Sequence, residues 1–110
     1  MTGRPAEQAS PLRVGGVTLD VVGRLAVTPS GVIRLTKIQT ELLAHLMRRA
    51  GGVCSRSELM EEVWGYSEVL DSRTVDVHVS ALRDKLRRAS VDADLRIRTV
   101  RGVGYGLIVG

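Results

Sequence analysis

A chain of 110 residues, 44% apolar and with a net charge of +4, is long enough for one domain with a modest core. No apolar run approaches the roughly 20 residues that span a bilayer, and the opening MTGRPAEQASP lacks the apolar stretch of a secretory signal, so a cytoplasmic domain without membrane contact is expected. The single cysteine, Cys54, excludes an internal disulfide and reads as a small buried hydrophobe. With His45 and His78 far apart in the chain it makes a poor metal set, so neither metal nor cofactor is expected.

Residues 1–11 read as a flexible linker or cut end, and residues 12–110 as the folded domain. One Trp, two Tyr and no Phe leave the interior to aliphatic side chains. Four β-rich runs come first, LRV, VTLDV, RLAVT and VIRL, divided by Gly15-Gly16, Gly23 and Pro29-Ser30-Gly31. Their alternation predicts a small antiparallel sheet with one covered face. A first helix is predicted over about 37–50, with Ile38, Leu42, Leu43, Leu46 and Met47 on one side, a Thr36/Gln39 capping box before it and Gly51-Gly52 after it. A second runs from Ser55, with a Ser55/Glu58 box, to about Trp64. Leu59, Met60, Val63 and Trp64 form its buried side, and Glu58, Glu61 and Glu62 its outer side. The segment GYSEVLD leads to a third helix, about 72–89, capped by Asp71 or Ser72. The end, LRIRTVRGVGYGLIVG, reads as a hairpin turning at Gly102–Gly104, with Arg101 at its tip.

Charge follows this division. Residues 1–54 hold seven Lys/Arg against three Asp/Glu, residues 55–71 one against five, and residues 72–110 eight against four. Basic ends beside an acidic middle suggest a polyanion-binding surface next to a protein-facing one. RGVGYG is glycine-rich but precedes a strand, whereas a dinucleotide fingerprint must open a helix, so nucleotide binding is rejected. Asp76 and His78 lie two apart on a helix, pointing about 200° away from each other, and cannot act as an acid–base pair. No nucleophile elbow is present. The chain does not read as an enzyme.

The third helix raises a sharper question. Val75, Val79, Leu82 and Leu86 fall within about 60° of one another and form a core stripe, yet Val77 stands in the middle of the opposite face, among Arg73, Ser80, Ala81, Asp84 and Arg88, with Thr74 at the edge. A helix, a turn, a second helix and a basic hairpin describe a winged helix-turn-helix, whose last helix enters the major groove, about 12 Å wide. On that reading Arg73, Thr74, Val77, Ser80 and Ala81 face DNA. Val77 offers a methyl surface to a thymine C5-methyl, and Arg101 enters the minor groove, where narrow A·T stretches attract arginine.

SRSELMEEVWG, DSRTVDVHVSALRDKL and IRTVRGVGY closely resemble the OmpR/PhoB-type effector domain of bacterial response regulators, over about residues 12–108. The resemblance implies an α+β fold: a winged helix-turn-helix with an N-terminal four-stranded antiparallel sheet, three helices and a C-terminal β-hairpin wing. It implies that Arg73, Thr74 and Val77 face bases or adjacent backbone. His78 and Arg83 would touch phosphates or brace the helix, with Arg83 more apt to brace through an internal carboxylate. Arg56, Trp64 and Tyr105 would contact the DNA backbone, and Arg101 would be the minor-groove arginine of the wing. The alternative for Trp64, Tyr105 and His78 is packing alone. The 58–71 surface corresponds to the one through which relatives engage RNA polymerase. Two copies would bind promoter half-sites in tandem, about one helical turn apart, and a phosphorylatable receiver domain would precede residue 1.

Some positions depart from the family pattern. Thr40 stands where relatives carry Phe, which removes a core anchor and weakens a staple with Leu35. Ser80 and Ala81 are small where some relatives place arginines, and Gly106 often has a basic counterpart. Two other readings stand beside this one: the same module in a one-component activator, or a protein-interaction module using the acidic 58–71 surface. RNA binding is weaker still, because aromatic stacking platforms are missing. No long apolar stripe is left over, so a monomer is expected off DNA.

Overall fold

A computed structural model describes residues 11–65, 73–91 and 94–109. The linker to residue 10, most of the GYSEVLD segment and the proposed caps Asp71 and Ser72 lie outside the described residues. The four β-rich runs form a meander: β1 (Leu12–Val14), β2 (Val17–Asp20), β3 (Leu25–Thr28) and β4 (Gly31–Arg34), each antiparallel to the next. Gly15 and Gly16 both take positive φ, +57° and +43°, as a two-residue hairpin loop of matching twist requires. One face buries Val17, Leu19, Ala26 and Ile33, while Val27 and Val32, paired across β3 and β4, face outward.

Helix α1 (Lys37–Arg48) begins at the expected capping box. The Gln39 amide donates to Thr36 Oγ1 (3.2 Å), and the Thr36 amide donates to Gln39 Oε1 (3.1 Å). Lys85 Nζ also donates to Gln39 Oε1 (2.7 Å) and to the Arg34 carbonyl (3.1 Å), tying the far end of the last helix to this cap. Thr40 is buried in place of an aromatic anchor, and its hydroxyl is satisfied by the Thr36 carbonyl at 2.8 Å.

Strand β5 (Val53–Ser55) precedes helix α2 (Arg56–Trp64), capped by Ser55 Oγ, which accepts from the Glu58 amide at 3.0 Å. The second box closes on this side alone. Glu58 instead turns inward, accepting from His45 Nε2 (2.6 Å) and Arg49 Nη1 (2.5 Å). The hydrogen bond from His45, ahead of that from Arg49, lowers the Glu58 pKa below its ordinary value. The exposed acidic face of α2 is therefore Glu61 and Glu62, without Glu58.

Helix α3 (Arg73–Arg88) leads to the wing strands β6 (Leu95–Val100) and β7 (Gly104–Val109), and β5 joins them in a three-stranded antiparallel sheet of order β5-β7-β6. The close approach of β5 to β7 requires glycine: a Cβ on Gly104 would lie 1.9 Å from the Cys54 carbonyl oxygen. Gly106 is buried too, so no side chain at that position could add charge to the wing without displacing the Gly52 carbonyl, 2.9 Å from its would-be Cβ. The core is aliphatic, built on Leu42, Leu43 and Leu46 of α1, Leu59 of α2, the α3 stripe, and Leu95 and Ile97 of β6.

Candidate nucleic-acid interface

Burial of Val75, Val79, Leu82 and Leu86 fixes the rotation of α3 and forces its other face outward. Arg73, Val77, Ser80 and Ala81 are exposed there, with Thr74 half-buried. Val77 is 64% exposed and packs nothing in the core. Small side chains at 80 and 81 leave the helix backbone open to close approach by a partner. At the far end of the helix Asp84 accepts from Arg87 (2.5 Å) and Arg88 (2.9 Å), partly neutralising both.

Asp76, in the first turn of α3, is the joint between the helix and its surroundings. Arg56 Nε at the start of α2 donates to Asp76 Oδ1 at 2.8 Å, and the Tyr105 hydroxyl of β7 donates to the same oxygen. A carboxylate at this end of a helix also meets the positive end of its dipole. The Arg56 and Arg83 guanidiniums lie 5.6 and 5.8 Å from the centre of the Tyr105 ring, and Arg83 Nη2 donates to Thr99 Oγ1 of β6 at 3.0 Å. One cluster thus ties α2, α3 and both wing strands together, setting the wing at a fixed angle beside α3. Burial first, and the bond to Asp76 second, push the Tyr105 pKa up; the Asp76 hydrogen bond and charge raise that of Arg56.

The expected site residues thus fall into two groups. Arg73, Val77, Ser80, Ala81 and, at the wing tip, Arg101 lie on open surface. Arg56, Arg83 and Tyr105 hold the frame. Tyr105 is only 5% exposed with its hydroxyl committed to Asp76, so a direct backbone contact suits it least. Arg83 meets the Thr99 hydroxyl and the Tyr105 ring, where the sequence suggested an internal carboxylate. His78 donates from Nδ1 to the Thr74 carbonyl (2.9 Å) and meets the half-buried Trp64 edge-on, with ring centres 5.2 Å apart.

Three residues escaped the sequence reading. The sequence around Asp76 suggests only a catalytic acid, since the donors that share its oxygen come from other elements. Thr99 carries no signal of its own. Val103 is 49% exposed beside Arg101 in the wing turn, where Gly102 takes φ +75°. The alternation LRIRTVR could have shown that Arg96 and Arg98 point outward from β6, as they do.

A helix-turn-helix whose last helix turns a polar face outward beside a basic hairpin defines a winged helix-turn-helix DNA-binding domain. Residues 30–107 match the family described as "Transcriptional regulatory protein, C terminal". The chain is 41% identical over 104 residues to the phosphate regulon transcriptional regulatory protein PhoB of Rhizobium meliloti, covering 94% of this chain and 45% of that protein. It is 38% identical over 99 residues to the DNA-binding response regulator MtrA of Mycolicibacterium smegmatis, covering 90% and 43%. It therefore spans less than half the length of these relatives. Among solved structures, the DNA-binding domain of Escherichia coli CadC superposes with a TM-score of 0.78 at 28% identity, covering 93% of this chain and 95% of that one. The DNA-binding domain of the response regulator AdeR, in complex with an intercistronic region, gives 0.75 at 27%, covering 90% and 99%. The chain belongs to the OmpR/PhoB-type family of transcriptional-regulator effector domains. Among the described residues no helix is long and apolar enough to cross a membrane.

Proposed function

We propose that residues 12–110 act as one unit that binds double-stranded promoter DNA at specific sites, as the output domain of a cytoplasmic response regulator, and that they catalyse no reaction. The observation that carries this reading is the outward face of α3, where Val77 at 64% exposure stands among Arg73, Ser80 and Ala81. Such a face suits a groove that offers thymine methyls and base acceptors together. Arg73, Thr74 and Val77 read bases; Ser80 and Ala81 permit the approach; Arg101 enters the adjacent minor groove. His78 and Trp64 lie behind this face, and their contribution is to hold the first turns of α3 in place. Arg56, Arg83 and Tyr105 position α3 and the wing.

Family membership supports the remaining partners. A receiver domain precedes this segment in the full-length protein, a second copy occupies a tandem half-site, and RNA polymerase docks on the 58–71 surface, to which Glu61 and Glu62 contribute. Selection of bound duplexes from a random pool, repeated across a salt series, tests the reading. Repeats spaced near one helical turn, with binding that weakens steeply as salt rises, are expected. Val77→Asp should then reduce discrimination between selected and scrambled duplexes by roughly 1–3 kcal/mol. Failure of any sequence to enrich, or equal weakening by Val77→Asp on every duplex, would contradict it.

A further inference from the structure

The structure brings together three side chains that the outward face of α3 and the wing do not use. His45 of α1, Cys54 of β5 and Glu58 of α2 come from three consecutive elements, and His Nε2, the Cys sulfur and a Glu carboxylate oxygen all lie within 4.8 Å of one another. We propose that this cluster is a binding site for a divalent transition metal of the zinc class. Imidazole, thiolate and carboxylate are the three ligand types zinc takes, and bond lengths of about 2.0–2.3 Å in a tetrahedron put neighbouring ligand atoms about 3.3–3.8 Å apart. The cluster therefore needs a contraction of about 1 Å at its widest pair. Cys54 with His45 and His78 makes a poor metal set in the sequence; the third ligand here is Glu58, whose position suggests a capping box instead.

The surroundings fit an open site more than a closed one. Cys54 is fully buried, but the His45 and Glu58 side chains keep 15% and 25% of their surface, leaving a fourth position for water. Arg49 now occupies that side. Its Nη1 binds Glu58 at 2.5 Å and its Nη2 the Val53 carbonyl at 3.4 Å. At 47% exposure the arginine can swing into solvent and yield to a cation. Binding would exchange the thiol proton of Cys54 for the metal, so proton release should accompany it. An ion here would pin α1, β5 and α2 at the corner from which Arg56 reaches Asp76.

Zinc and cobalt(II) titrations of the 110-residue chain test the site. Cobalt should give a thiolate-to-metal charge-transfer band, and zinc at about a hundredfold its dissociation constant should raise Tm by roughly 10 °C or more. Cys54→Ser should abolish the band. His45→Gln, whose folding is checked by circular dichroism without metal, should weaken zinc binding at least tenfold. Arg49→Ala should tighten it, since it removes the competing cation. A chain with no charge-transfer band, or a zinc effect that survives His45→Gln unchanged, overturns the proposal.

Discussion

Tyr105→Phe isolates the joint that sets the wing against α3. Phenylalanine keeps a ring that is 5% exposed and deletes only the hydroxyl that donates to Asp76. A hydrogen bond to a charged group contributes roughly 1.5–3 kcal/mol. The Asp76 side chain keeps 37% of its surface, and water screening discounts the bond to about 1–2 kcal/mol. In a domain of this size that lowers Tm by about 5–15 °C. Thermal unfolding followed by circular dichroism reads the loss, and Asp76→Ala completes a double-mutant cycle. With the acceptor gone, Tyr105→Phe should cost nothing, or recover stability by removing a buried orphan hydroxyl. The pH dependence has a definite sign. The folded pKa lies above the ordinary tyrosine value of 10, so the contribution is complete below a pH of about 10 and is lost as pH rises through the folded pKa. The gap between parent and variant should hold steady near neutrality and narrow on the alkaline side. A Phe variant as stable as its parent, or two substitutions that simply add, would refute the joint.

Gln39→Ala removes half of the α1 cap together with the acceptor for Lys85. It should lower stability by about 1–2 kcal/mol in urea denaturation, and a cost near zero would show that the cap does not couple α1 to α3. Gly104→Ala forces a Cβ against the Cys54 carbonyl, so stability should fall by at least roughly 1–3 kcal/mol, with DNA binding weakened as the wing shifts; both are read by melting and by fluorescence anisotropy. Arg101→Ala should weaken binding most on duplexes with A·T-rich flanks. Equal loss on G·C-rich flanks would reduce the residue to a phosphate anchor.

Elements with a strong period or a paired turn signal were legible in the sequence. The alternating runs, the Thr36/Gln39 box and the α3 stripe all lie where the pattern puts them, because each is decided by local chemistry and one buried face. Strand β5 was not legible: three residues directly before an N-cap carry no period, and their pairing partner lies some 50 residues on, at Gly104–Gly106. Glu58 shows the limit of a motif. Its position fits a capping box, but His45 and Arg49, brought up by α1, offer the carboxylate two side-chain donors in place of one backbone amide. Within the site, the exposed half (Val77, Ser80, Ala81, Arg101) follows from periodicity and turn placement. The framing half does not, since the bonds from Arg56 and Tyr105 to Asp76 cross three elements that sequence alone cannot orient.

Amide chemical-shift mapping of the labelled domain, as a selected duplex is titrated in, tests most directly which surface meets DNA. The shifts should concentrate on Arg73, Val77, Ser80 and Ala81 of α3 and on Arg101–Val103 of the wing tip, leaving Val27 and Val32 on the outer sheet unmoved. Shifts centred on Glu61 and Glu62 or on the outer sheet, with the α3 face silent, would contradict the assignment of α3 and the wing as the DNA-reading surface.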